Sequence, residues 1–171
     1  ADALALDRVL WIPARVSPHK LHRAGSPHAV RLEMVRAAAG MDARFEVSEV
    51  ELERSGPSYT LDTLRELRAG WPSAEIFLIL GADQLRVFAS WRGPGEILRL
   101  ATPALMDRDG EAADGVAPDL PGMERAVHVP VTRVDVSATR VRAAVAAGED
   151  VSGMVPPGVR AVIERERLYR G

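Results

Sequence analysis

The run Ile-Phe-Leu-Ile-Leu at 76–80, closed by Gly81, limits the possible folds more than any other part of the chain. It is a short, continuous apolar stretch rich in β-forming residues. It therefore reads as a strand buried on both faces, which suits a parallel sheet covered by helices. Parallel strands need crossover connections, so helices are expected on either side of it.

The rest of the chain supplies them. Arg8–Ile12 reads as a strand stopped by Pro13, and residues 13–27 as a loop with three prolines. Leu32, Val35 and Ala39 keep a helical period over 28–40, stopped by Gly40. Phe45–Leu52 alternates and is expected to be a strand burying Phe45, Val47 and Val50. A turn at 54–58 leads to a helix from Thr60, with Leu61, Leu64 and Leu67 on one face and Asp62 in its first turn. Helices are expected near 83–89, 94–100, 137–147 and 156–168, and strands at 102–106 and 126–131. Residues 107–124, rich in Gly, Pro, Asp and Glu, read as a mobile surface loop. The alternation predicts one α/β domain over 1–171 with a doubly wound parallel sheet. Residues 1–6 look like the end of a helix with no strand before it. An N-terminal strand, loop and half-helix are therefore expected to be missing from this sequence.

Composition narrows the function. The chain has no cysteine, which removes disulfides, thiolate metal sites and cysteine nucleophiles. The formal net charge of −2 lacks the basic excess of a broad nucleic-acid surface. No apolar run reaches a membrane span, and residues 1–10 lack the basic start of a signal peptide. A cytoplasmic protein is expected, with no nucleic-acid or membrane partner and with a homo-oligomer left open.

Four constellations could carry chemistry. In Ser137-Ala-Thr139-Arg140-Val-Arg142, a hydroxyl can cap a helix, while the arginines in its first turn oppose the helix dipole. They make sense if an anion such as phosphate sits at the helix start, and equally as solvated arginines on a capped surface helix. Gly81-Ala-Asp83 follows the buried strand, where open α/β sheets bind ligands. Gly81 permits close backbone approach and Asp83 can accept from ribose hydroxyls, or simply cap the next helix. Ser17-Pro-His19-Lys20 places a cation in the first loop beside His19, an acid–base candidate or simply a polar surface residue, with no second ligand at zinc spacing. Tyr59 and Thr60 stand at a helix start whose N–H groups can receive a carboxylate. Trp91 lies in the turn-like Ala-Ser-Trp-Arg-Gly-Pro-Gly, as a stacking platform or a core plug. No Walker loop, G-x-G-x-x-G or G-x-S-x-G is present.

Taken in order, these pieces resemble the bacterial nicotinate-nucleotide adenylyltransferase family. The resemblance rests on V-L-W-I-P at 9–13, P-H-K at 18–20, R-L-E-M-V at 31–35 and F-E-V-S-E-V-E-L at 45–52. It continues through G-P-S-Y-T-L-D-T-L at 56–64, I-L-G-A-D at 79–83, S-W at 90–91, D-V-S-A-T-R-V-R at 135–142 and R-L-Y at 167–169. It covers nearly the whole chain, and the 56–64 and 137–142 elements together are highly specific.

The resemblance implies a Rossmann-like fold of the adenylyltransferase type and transfer of AMP from ATP to nicotinate mononucleotide, with Mg2+ accompanying the ATP. It implies that Ser137, Thr139 and Arg142 hold the triphosphate, that Gly81 and Asp83 meet the ATP ribose, and that Lys20 meets phosphate. Tyr59, Thr60 and Trp91 would form the pyridine pocket. Arg92 stands where an aromatic often follows the tryptophan, and is expected to favour acid over amide substrates by its charge. Arg108 matches an arginine that the family places before Pro-Gly, but Asp109-Gly110 follows here. The family's N-terminal strand and His-x-Gly-His loop have no counterpart, since His19, His22 and His28 lack that spacing. A chain truly beginning at Ala1 is expected to be inactive and poorly stable. The alternatives are adenylyl transfer to another phosphate such as phosphopantetheine, a non-catalytic nucleotide binder, or a helix-turn-helix DNA reader in the last two helices, which the charge disfavours.

Overall fold

The computed structural model describes residues 1–16, 27–108, 117–132 and 134–170. The chain divides into two compact units, Ala1–Pro57 with Asp135–Gly171, and Ser58–Val134. Among the described residues no helix is long and apolar enough to cross a membrane.

The first unit holds strands β1 (Val9–Trp11) and β2 (Phe45–Val47), joined through helix α1 (His28–Ala39) and paired in parallel from Val9↔Phe45 to Trp11↔Val47. Pro13 lies just beyond β1 and cannot donate to a ladder, so the pairing is short. This corrects the expected strand over 45–52. β2 stops at Val47, and Val50–Glu53 forms a turn of helix, α2, once no partner strand remains beside it. Val50 is half-buried there. Helices α6 (Ala138–Ala146) and α7 (Pro157–Arg165) complete the unit. Gly158 lets α7 approach α1: a Cβ there would lie 3.1 Å from the Ala37 methyl. Arg165 on α7 hydrogen-bonds Glu33 on α1. α7 ends at Arg165, three residues short of the expected 168, in turns where Arg167 and Tyr169 take positive φ.

The second unit holds α3 (Thr60–Gly70), β3 (Phe77–Leu80), α4 (Ala82–Phe88), α5 (Pro94–Leu100), β4 (Thr102–Arg108) and β5 (Val127–Val131). Its sheet order is β3-β4-β5, all parallel. Leu61 and Leu64 of α3, Leu80 of β3, Leu85 and Phe88 of α4, Ile97 and Leu98 of α5 and Leu105 of β4 form the core. Each connection between paired strands passes a helix or turn across this core, as parallel pairing demands.

Two expectations are corrected here. β3 is not buried on both faces: Leu78 and Leu80 pack into the core, whereas Ile79 is 46% exposed. Successive side chains point to opposite faces, and the face carrying Ile79 is the less covered one. The expected loop over 107–124 contains more order than its composition implied. Asp107 and Arg108 extend β4, because they find register with Pro130 and Val131. Residues 109–116 lie outside those described. Met123, in a 3-10 turn at Met123–Arg125, is buried against the core.

Candidate functional site

The phosphate-type motif sits where the sequence placed it, at the start of α6. Ser137 is the N-cap with extended backbone, and its Oγ accepts from the Arg140 backbone N–H at 3.1 Å. Val141 and Ala144 anchor the helix by burial, leaving Ser137, Thr139, Arg140 and Arg142 exposed. The two arginines differ in a way the motif alone could not reveal. Arg140 Nη1 donates to the Asp135 carbonyl at 2.8 Å and lies 3.5 Å from its carboxylate. Arg142 Nη2 donates to Thr139 Oγ1 at 3.2 Å, and among the described residues it makes no ion pair. Arg142, the fifth residue of α6, has no counter-ion among the described residues, and a cation one turn from a helix start is an arrangement that favours an anion there.

Gly81 and Asp83 follow β3. Gly81 is the N-cap of α4 with φ −91°, an angle any residue adopts, so the backbone there does not require glycine. Asp83 does not cap the helix; it stands in the first turn of α4. Its carboxylate is 86% exposed and accepts from Arg86 Nη1 at 2.9 Å, one turn on. Its second oxygen remains open to solvent-side donors such as hydroxyls.

Tyr59 and Thr60 begin α3, with Tyr59 as a half-buried N-cap residue that makes no side-chain cap bond. Arg92, 33 positions later, comes back over it: the guanidinium lies 4.9 Å from the Tyr59 ring centre. Arg92 Nη1 donates to Asp62 Oδ2 at 3.1 Å. Asp62 is also 3.6 Å from Arg65, whose main partner is Glu96, held by Nε and Nη2 at 2.8 Å each. The Arg65 hydrogen bond holds the Glu96 carboxyl below its ordinary range. The sequence offers only a helix-dipole role for Asp62 and does not single out Arg65 or Glu96. The three-residue spacing of Asp62 and Arg65 was a local signal, but the link to Arg92 had none. Trp91 lies 5.2 Å from the Phe88 ring at 45° and packs on the core, and its indole N–H is buried without a partner among the described residues. It fills the core-plug role, and its stacking role is a separate matter.

Lys20 and His19 lie outside the described residues, as does His22. Arg108 ends β4, and its side chain is not described. His28 begins α1, where its Nδ1 lies 2.6 Å from Arg31 Nη2. Among the described residues no three His, Asp or Glu stand together as metal ligands.

The chain, whose strands all pair in parallel among the described residues, matches the Cytidylyltransferase-like family over residues 1–144, which defines a nucleotidyltransferase with a Rossmann-like fold. A protein of Chromobacterium violaceum named a probable nicotinate-nucleotide adenylyltransferase is 39% identical over 99% of this chain and 88% of its own length. Proteins of the same name from Thermus thermophilus and Shouchella clausii are 40% and 36% identical, covering 99% and 98% of this chain and 87% and 83% of theirs. The chain belongs to the nicotinate-nucleotide adenylyltransferase family. The fold of Plasmodium falciparum nicotinic acid mononucleotide adenylyltransferase complexed with NaAD superposes with a TM-score of 0.74 over 96% of this chain and 83% of that one, at 14% identity.

Proposed function

We infer that the protein transfers AMP from ATP to nicotinate mononucleotide, giving nicotinate adenine dinucleotide and pyrophosphate, in NAD biosynthesis. The observation that carries this is the match to similarly named relatives at 36–40% identity over at least 98% of the chain. In the reaction a phosphate oxygen of the mononucleotide attacks the α-phosphorus of ATP. The bond to the β-phosphate bridging oxygen breaks, and pyrophosphate carries away the electron pair. No covalent bond to the protein is needed, so the chain's contribution is positioning and charge stabilisation.

We assign the triphosphate to Ser137, Thr139 and Arg142, with Arg142 supported by its lack of an ion-pair partner among the described residues. Lys20 is assigned to phosphate by its motif. The ATP ribose goes to Gly81 and to Asp83, whose carboxylate is open to hydroxyl donors. Tyr59, Thr60 and Trp91 would hold the pyridine ring, with Arg92 close to its carboxylate. Magnesium would accompany the ATP and offset its phosphate charge, a role in which this ion keeps several waters and needs few protein ligands. The reading places the enzyme in the cytoplasm, with its ATP supply.

The test is pyrophosphate release by the natural full-length protein with ATP and magnesium, offering nicotinate mononucleotide, nicotinamide mononucleotide and phosphopantetheine separately. Turnover chiefly on the first is expected. Turnover chiefly on phosphopantetheine, or nucleotide binding with no turnover on any acceptor, would overturn the assignment.

A further inference from the structure

We propose that Asp62 is a positioning residue for substrate choice: it fixes the Arg92 guanidinium against Tyr59 so that its outer edge is pre-set to receive the pyridine carboxylate. The proposal deepens the functional reading above and rests on it. Arg92 follows α4 in a turn and its side chain is 55% exposed. A free arginine there would sample many rotamers and lose them on binding. Two contacts hold it instead. Tyr59 lies under the guanidinium, with Cζ 4.9 Å from the ring centre, within cation–π range, and so favours this placement of the side chain. Asp62 accepts from Nη1 at 3.1 Å and fixes its rotation. Only Nη1 is used in that bond, so the remaining N–H donors of the planar fork stay available for a carboxylate, which an arginine reads in two-point fashion and a carboxamide cannot match.

Asp62 is itself held in place. Its side chain is 26% exposed, in the first turn of α3, with Arg65 at 3.6 Å on its other side. Glu96 takes Arg65 with both oxygens, so Arg65 steadies Asp62 without pulling it from Arg92. Arg92, Arg65, Asp62 and Glu96 balance in charge. The group therefore does not act as a general anion trap, and its selectivity comes from the direction of the donors that Arg92 has left.

Two opposed roles for Asp62 give opposite signs. If it positions Arg92, its loss weakens recognition of the acid. If it merely neutralises Arg92, its loss strengthens it. The experiment measures KM and kcat of the full-length enzyme for nicotinate and nicotinamide mononucleotides in wild type, Asp62→Asn, Glu96→Gln and Arg92→Ala. Asp62→Asn is expected to lower the acid-to-amide ratio of kcat/KM about five- to tenfold, through KM for the acid, by returning rotamer freedom to Arg92. Glu96→Gln, which touches neither Tyr59 nor Arg92, frees Arg65 to draw Asp62 away and shifts the ratio in the same direction by less. It decides the matter if Asp62→Asn does not fold. An unchanged or raised ratio, or an equal loss on both substrates, overturns the proposal. If Arg92→Ala leaves the ratio intact while the wild type is active, the carboxylate is read elsewhere and only this proposal falls. A wild type that turns over neither mononucleotide removes the functional reading beneath it.

Discussion

Gly93 links the core to the turn that carries Trp91 and Arg92, and Gly93→Ala tests that link. Gly93 is the N-cap of α5 with φ 63° and ψ 52°, a left-handed conformation. An alanine there costs about 1–2 kcal/mol in backbone strain, partly offset by about 0.4–1 kcal/mol of lost freedom in the unfolded chain. The added Cβ would also stand 2.8 Å from Leu61 Cδ2 and 4.0 Å from Glu96 Cβ. The end of a leucine can usually move aside, but Leu61 is 4% exposed and packed in the core, so it has little room to swing. Overpacking of this kind costs about 1–3 kcal/mol. The expected net destabilisation is about 2–3 kcal/mol, read as a fall in the urea midpoint followed by tryptophan fluorescence, since Trp71 and Trp91 both lie in this unit. The two contributions separate in a Leu61→Ala background, where the clash disappears and the strain stays. Gly93→Ala should then cost about 1 kcal/mol, a coupling of about 1 kcal/mol or more. Equal costs in both backgrounds would show that the Leu61 contact is not the source. A cost below about 0.5 kcal/mol in both would refute the strain as well.

Arg142→Ala is expected to lower kcat/KM for ATP about 10- to 100-fold by removing a charged hydrogen-bond donor, while Arg140→Ala, already paired with Asp135, costs far less. Equal losses in steady-state kinetics would refute the distinction drawn between them. Ser137→Ala should destabilise the helix start by about 1 kcal/mol, and Ser137→Gly by only a few tenths, as seen by hydrogen exchange at the first amides of α6. The Arg165 hydrogen bond holds the Glu33 carboxyl below its ordinary range, and the Arg44 hydrogen bonds hold Asp42 at about 2. Both carboxylates have folded values below their unfolded ones. Their stabilisation is therefore present above the unfolded values and is lost as pH falls through the folded ones. Arg165→Ala should flatten the fall of the thermal midpoint on acidification below about pH 5, and an unaltered profile would show that the Glu33 pair contributes nothing measurable.

How far the sequence could be read follows from the distance over which each feature is decided. The strand-helix order was legible because apolar runs and their Gly and Pro stops are local, and every expected helix start falls within about two residues of the observed one. The end of β2 was not. Phe45–Leu52 alternates well beyond the point where the ladder stops, and the limit comes from β1 and Pro13, 36 positions before Glu49. The same division runs through the candidate site. The Ser137 cap and the Thr139–Arg142 contact are both three-residue relations, and both were readable. Which arginine is left unpaired depends on Asp135, outside the helix, and what holds Arg92 depends on residues some thirty positions away. Motifs therefore name the candidate cations, whereas tertiary charge compensation decides what each can do. Arg140 is largely spent on Asp135, Arg142 has no counter-ion among the described residues, as its proposed triphosphate role requires, and Arg92 is paired through Nη1 with Asp62, which fits its proposed role toward a single flat carboxylate.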